Sequence, residues 1–157
     1  MGYTLSRILN WRRSVNQDLE QAKRLLKERS LAFAIVKEGE VIGTSAGKGV
    51  VDLMTLVDSK GPVLAGASLA DKLVGKAVAA MVCCTGIKAV YTPVLSQAAQ
   101  KMLQTCGVPL EYDELVPIIL SRDGKVRGPL EQLLLEIHDP AKAVTALRDF
   151  LKNHSMG

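Results

Sequence analysis

Apolar and polar residues change period several times along this chain, and each change marks an element. Between residues 18 and 29, Leu19, Ala22, Leu25 and Leu26 recur at three- and four-residue steps, which predicts a helix with one buried face. "LAFAIVKEGEVIGTS" offers two apolar, β-branched runs meeting at Glu38-Gly39 and predicts a β-hairpin. "VVDLMTLVDS" predicts a helix stopped by Gly61-Pro62, and the short apolar "PVLAGAS" a buried strand. "ADKLVGKAVAAMVCCTG" predicts a helix starting at Asp71, with Ser68-x-x-Asp71 as a capping box and Gly86 just past its end. Beyond Lys76 that helix is apolar all round, so it is expected to be central and buried.

Further on, "KAVYTPV" predicts a strand, "SQAAQKMLQTCG" a helix capped by Ser96 and followed by Gly107, and "PLEYDELV" another strand. "SRDGK" is a turn, Pro129 starts a helix in "GPLEQLLLEI", and Asp139-Pro140 opens a last helix to about Lys152. Strands alternating with helices after an initial hairpin predict a three-layer α/β/α domain with a mixed sheet over residues 18–157. Residues 1–17 form a basic and apolar arm, with Leu5, Ile8, Leu9 and Trp11 among Arg7, Arg12 and Arg13. Its readings are an amphipathic contact with a membrane surface or partner, or a frayed helix on its own domain or a neighbouring subunit.

A chain of 157 residues can bury a single core, and with aromatics at 4% that core must be Val, Leu, Ile and Ala. No apolar run approaches the ~18 residues of a membrane span, and no secretory signal is evident, so a cytoplasmic protein is expected. Cys83, Cys84 and Cys106 are odd in number without C-x-x-C spacing, which argues against a disulfide framework or structural zinc and suits a reducing compartment. The net charge of +4 resides in residues 1–30, with seven Lys/Arg against three Asp/Glu; the remainder is neutral. With so few stacking aromatics, a dedicated nucleic-acid-binding module is excluded as a leading reading.

The stretch "VIGTSAGKGVVDL" imitates three signatures. As a P-loop it is one residue short between Gly43 and Gly47-Lys48, and Gly49 replaces the Ser or Thr. As a dinucleotide fingerprint it has Asp52 where a third glycine should pack. As a G-x-S-x-G elbow it would need Ser45, Asp113 or Asp123, and His138 as a triad, in a larger sheet than this chain can build. A glycine-rich strand-to-helix turn remains, whose free N–H groups suit an anion. Further on, Lys72 and Lys76 oppose the dipole of the helix expected to start at Asp71, so they either snorkel to water or serve an anion. Gly75 within that helix suggests close approach of another group.

The order of elements and the strings "TSAGKGV", "ADKLVGKA", "AVYTPVLSQAA" and "YDELVPIILSRDG" resemble an uncharacterised prokaryotic family with a cytidine-deaminase-like fold, over about residues 28–151. Zinc deaminases carry H-x-E at the start of the buried helix and P-C-x-x-C at the next. Laid on those places, this chain has Leu69-Ala70-Asp71 and Pro93-Val94-Leu95-Ser96-Gln97, which keeps the acid and replaces the ligands by Leu69, Val94 and Gln97. The resemblance therefore implies no zinc, no other cofactor and no deamination. It implies a pocket where two helix N-termini meet, with Asp71, Lys72 and Lys76 facing Pro93 and Ser96, and the turn carrying Ser45, Gly47 and Gly49 as a wall. Where some relatives carry a cysteine before Pro-x-Glu, this chain has Gly128, so a thiol role is not expected there.

Together these expectations favour a protein that binds a nucleotide or other phosphorylated small molecule without deaminating it. Lys72 and Lys76 would meet the anion, Asp71 a ribose or base donor, and the backbone of residues 45–49 a phosphate. The alternatives are a metal-independent enzyme using Asp71 and Lys72 as a pair, and a non-catalytic assembly protein forming a homo-oligomer.

Overall fold

The computed structural model describes residues 5–120, 124 and 128–154; for residues 5–16 it describes the course of the helix and not the side chains. The arm's side chains and the 121–125 turn, Gly124 apart, lie outside the described residues.

The chain forms α1 (Leu5–Glu28), β1 (Phe33–Lys37), β2 (Glu40–Ser45), α2 (Gly49–Leu64), β3 (Ser68–Asp71) and α3 (Lys76–Thr85). Then come β4 (Ala89–Ser96), α4 (Gln97–Thr105), β5 (Leu110–Val116), α5 (Pro129–Leu133) and α6 (Pro140–Asn153). The strands make one sheet in the order β2-β1-β3-β4-β5. β1 runs antiparallel to both β2 and β3, while β3, β4 and β5 are parallel, so the sheet is mixed as the sequence predicts.

Alternation along β1 divides the core. Ala34 and Val36 face α1 and meet its Ala22 and Leu26 together with Ala70 and Tyr91. Phe33 and Ile35 face the other layer, with Leu53 of α2, Met81 of α3 and Leu103 of α4. Small residues let α1 lie close, and its polar residues fasten it. Asp18 accepts hydrogen bonds from the backbone N–H groups of Glu38 (2.8 Å) and Gly39 (2.9 Å). Those two residues form the expected hairpin turn, both with positive φ (52° and 79°). The Lys23 ammonium lies 4.6 Å above the Tyr91 ring and pairs with Glu111. Tyr91 donates to Asp113 at 2.6 Å, and its phenol is pushed up to about 12, first by burial and then by that carboxylate.

On the opposite face α3 is buried all round, as expected: every residue from Lys76 to Val82 is buried. Apolar residues from the sheet and from α6 (Ala143, Val144 and Leu147) join it in one core. Ser96 caps α4 as predicted, accepting from Ala99 N at 3.1 Å.

The segment between α2 and α3 departs from expectation. α2 does not stop at Gly61-Pro62; it kinks at Lys60 (φ −132°, ψ 25°) and resumes to Leu64. Pro62 falls in the first turn after the kink, where its missing N–H costs little. The predicted "PVLAGAS" strand is therefore absent, and the strand is Ser68–Asp71 instead. The helix expected from Asp71 begins at Lys76, with Gly75 at its N-cap, so Ser68 and Asp71 are not a capping box. Two ladders hold β3, antiparallel to β1 and parallel to β4, and its four residues are buried on both faces. That burial and pairing outweigh the helical spacing of the apolar residues.

The cysteines also correct the sequence reading. α3 packs against α4 so that Cys83 and Cys106 form a disulfide, with Cα atoms 6.0 Å apart, leaving Cys84 as a free thiol. The inference of a reducing compartment from cysteine usage loses its basis. Among the described residues, no helix is long and apolar enough to cross a membrane.

The bridge spans 23 residues, and a cross-link of that length stabilises by about 3 kcal/mol. Cys83→Ser should lower the melting midpoint by roughly 5–10 °C in calorimetry. Reductant should reproduce that drop in the parent protein and leave the variant unchanged; a parent midpoint indifferent to reductant refutes the bridge.

Candidate functional site

Asp71 ends β3 and pairs in register with Phe33, which pairs on its other side with Ser45. Residues in register share a face of the sheet, so Ser45, Phe33 and Asp71 look toward the α2–α3 layer along one line. Ser45 does not stand free: its hydroxyl donates to Asp52 in the first turn of α2 at 2.6 Å and accepts from Gly47 N at 3.4 Å. Gly43 is needed for packing, because a Cβ there would stand 2.5 Å from Leu56 Cδ1 of α2. The stretch is thus a strand-to-helix turn, as expected, with Gly47 in open space at its apex. The would-be triad is dispersed, since Asp113 binds Tyr91 and His138 contacts Lys76; Asp123 lies outside the described residues.

Asp71 is 5% exposed. One carboxyl oxygen accepts from Leu73 N at 3.1 Å, an Asx-turn that carries the chain out of the sheet. Among the described residues no ion pair reaches it. Burial pushes its carboxyl up to about 7, against the smaller downward pull of the Leu73 N–H. Lys72 leaves the strand with its side chain exposed, its backbone N–H donating to Ala32 O at 2.8 Å. Neighbours in sequence, the two side chains occupy different surroundings.

Lys76 opens α3 with its side chain buried. Its ammonium donates to Leu134 O (2.7 Å) and Leu135 O (3.4 Å) past the end of α5, and lies 3.3 Å from His138 Nδ1. An ammonium cannot accept, so Nδ1 accepts and the ring hydrogen is assigned to Nε2. Burial lowers the Lys76 pKa, with the charges of Glu131 and Glu136 opposing. The cation that sequence reasoning aimed at a ligand instead binds internal carbonyls, where positive charge suits a helix end.

A residue not singled out by sequence completes the arrangement. Glu131 of α5 is 8% exposed, and its Oε1 accepts from Lys76 N at 3.3 Å, capping α3 where Gly75 offers no side chain. A Cβ on Gly75 would lie 2.6 Å from Ile119 Cδ1 and 2.8 Å from Glu131 Oε1, so the close approach inferred for Gly75 is to these two groups. The signal for Glu131 was an acid in the first turn after Pro129, but its partner is 55 residues away.

Between the first turns of α2 and α3, residues 119–120 and residues 128–131 lies a cavity of about 180 Å³, lined by Val50, Leu73, Gly75, Val78, Ile119 and Glu131 among others. Of the sequence-predicted site, Ser45, Gly49 and Asp71 gather at this end of the sheet. The Lys76 ammonium and the Ser96 hydroxyl are engaged in internal bonds, and Pro93 is half-buried within β4. Leu69-Ala70-Asp71, laid on a helix start by the resemblance, lies in β3. Zinc does not fit: Leu69, Val94 and Gln97 are not zinc ligands, and among the described residues no three His, Cys, Asp or Glu converge.

Two outcomes follow. A carboxyl raised from 3.8 to about 7 binds more protons folded than unfolded between those values, so it removes stability as pH rises from 4 to 7. Asp71→Asn should therefore gain stability over the parent, by at most roughly 4 kcal/mol at pH 8 and by nothing from this source near pH 4. Thermal melts across that range check it; a constant difference refutes it. Gly75→Ala should cost about 1–3 kcal/mol in urea unfolding by crowding Ile119 and Glu131.

A family model described as "Domain of unknown function (DUF1893)" matches residues 21–151. The crystal structure of a DUF1893 family protein from Thermotoga maritima superposes at a TM-score of 0.79 with 28% identity, covering 85% of this chain and 89% of that one. A diaminohydroxyphosphoribosylaminopyrimidine deaminase/5-amino-6-(5-phosphoribosylamino)uracil reductase from the same organism matches at a TM-score of 0.43 and 18% identity, over 64% of this chain and 36% of its own. A tRNA:A34 deaminase structure matches at 0.40 and 17%, over 64% and 90%. These two likenesses are distant and transfer no chemistry. No curated protein matches. With the family model spanning most of the chain, the protein belongs to the DUF1893 family.

Proposed function

We propose that the protein binds a nucleotide or similar phosphorylated small molecule without deaminating it, with only the base entering the cavity of about 180 Å³ between α2 and α3 and the ribose and phosphate lying outside. Asp71 carries this reading: it does not line the cavity itself but accepts the backbone N–H of Leu73, which does. A carboxyl near 7, buried and without a cation, can donate and accept at neutral pH, which suits the hydrogen-bonding edge of a base or a ribose hydroxyl. The apolar walls of Val50, Leu73 and Ile119 suit a ring. The exposed Lys72 suits a phosphate outside the cavity. The same carboxyl supports a second reading, in which Asp71 alone moves a proton on the bound molecule.

Nucleoside monophosphates, diphosphates, free nucleosides and inorganic phosphate should be compared by thermal shift on the full chain. A nucleotide at 100 times its Kd should add about 2.7 kcal/mol of stability, more than nucleoside or phosphate alone. Lys72→Ala should weaken the phosphate-dependent part, and Leu73→Trp, which fills the cavity, should abolish the shift. No shift at millimolar nucleotide, or shifts unaltered by both substitutions, would overturn the proposal. Turnover lost in Asp71→Asn with binding retained would favour the second reading.

A further inference from the structure

The side chain of Lys76 points to a second place. Its backbone N–H faces Glu131 beside the first cavity, while its ammonium reaches the end of α5 and His138. There, between α3, α4 and the α5–α6 connection, lies a larger cavity of about 360 Å³. It is lined by Lys76, Lys101, Met102, Leu135, His138 and Cys106 among others. Its volume falls at the low end of small-molecule sites, which begin at about 300 Å³.

The chemistry of the lining is one-sided. Its ionisable side chains are the cations Lys76 and Lys101 and the hydrogen-bond donor His138, and no lining residue is acidic. Two carboxylates adjoin lining residues in sequence: Asp139, which accepts from Lys142 N at 3.0 Å as the cap of α6, and the exposed Glu136, whose charge favours the Lys76 ammonium. Lys76 has three acceptors for its three protons and no donor to spare. By holding Nδ1 of His138 it leaves Nε2–H as that ring's donor. The exposed Lys101 contributes a mobile cation. The remaining wall is Ala98, Met102, Leu135, Pro140, the disulfide-bonded Cys106 and Thr105, whose hydroxyl donates to Lys101 O, a largely apolar surface that penalises a doubly charged guest.

We propose that this cavity binds a small monoanion with an apolar body, a carboxylate held by Lys101 and the Nε2–H of His138 with its hydrocarbon part against Met102 and Leu135. The site is distinct from the one proposed above and does not depend on it.

Octanoate, octanamide and octyl phosphate are suitable probes, titrated calorimetrically into the full chain. Octanoate should bind saturably at one site, and octanamide about tenfold more weakly, because it forfeits the charge-assisted bonds. Lys101→Ala, on the surface, and His138→Ala should each weaken octanoate by about tenfold. Ala98→Phe, which fills the cavity, should abolish binding, and Asp71→Asn should leave it unchanged. The absence of saturable binding at millimolar octanoate, equal affinity for octanamide, or indifference to Lys101→Ala overturns the proposal. Tighter binding of octyl phosphate than of octanoate overturns the preference for a single charge.

Discussion

The first seven residues of α3 are buried, and both the N–H and the charge of its first residue, Lys76, are satisfied by α5 and the residues just after it. Glu131 accepts the N–H of Lys76, and the Lys76 ammonium donates to Leu134 O and Leu135 O beyond the end of the same short helix. The exchange is reciprocal: a carboxylate at the positive end of α3 and an ammonium at the negative end of α5. It positions α5 and the residues that lead into α6. It also partitions the space around α3, with Glu131 facing the cavity toward α2 and Lys76 the cavity toward α4.

Elements whose determinants are local were readable. The hairpin at Glu38-Gly39, the Ser96 cap of α4 and the Asp139 cap of α6 each depend on residues within a few positions of one another. The β3–α3 passage was not readable, because Leu69, Ala70, Leu73, Val74, Ala77 and Val78 follow a helical spacing. Periodicity cannot express that Ser68–Asp71 is needed between β1 and β4. The misplacement of that boundary carried Asp71 and Lys72 onto a helix they do not occupy.

The candidate site divides in the same way. The strand-to-helix turn at 45–49 was recognisable from its glycines, and Gly43 just before it lies against Leu56 of α2. The burial of Asp71 and the engagement of Lys76 depend on contacts between residues far apart in sequence, such as the 58-residue separation between Lys76 and Leu134. Two lysines that look alike in sequence thus differ, one solvated and one built into the interior.

Cys84 follows Cys83 of the bridge in sequence, a free thiol next in the chain to a bond that thiolates attack, although neighbours on a helix do not face one another. Its thiol is held above the ordinary range by desolvation first and by the Asp139 carboxylate second, with Arg148 pulling the other way. Attack requires the thiolate, so at neutral pH the reactive fraction is small. Desolvation, with a smaller contribution from a carboxylate whose other task is to cap a helix, thus favours the protonated thiol.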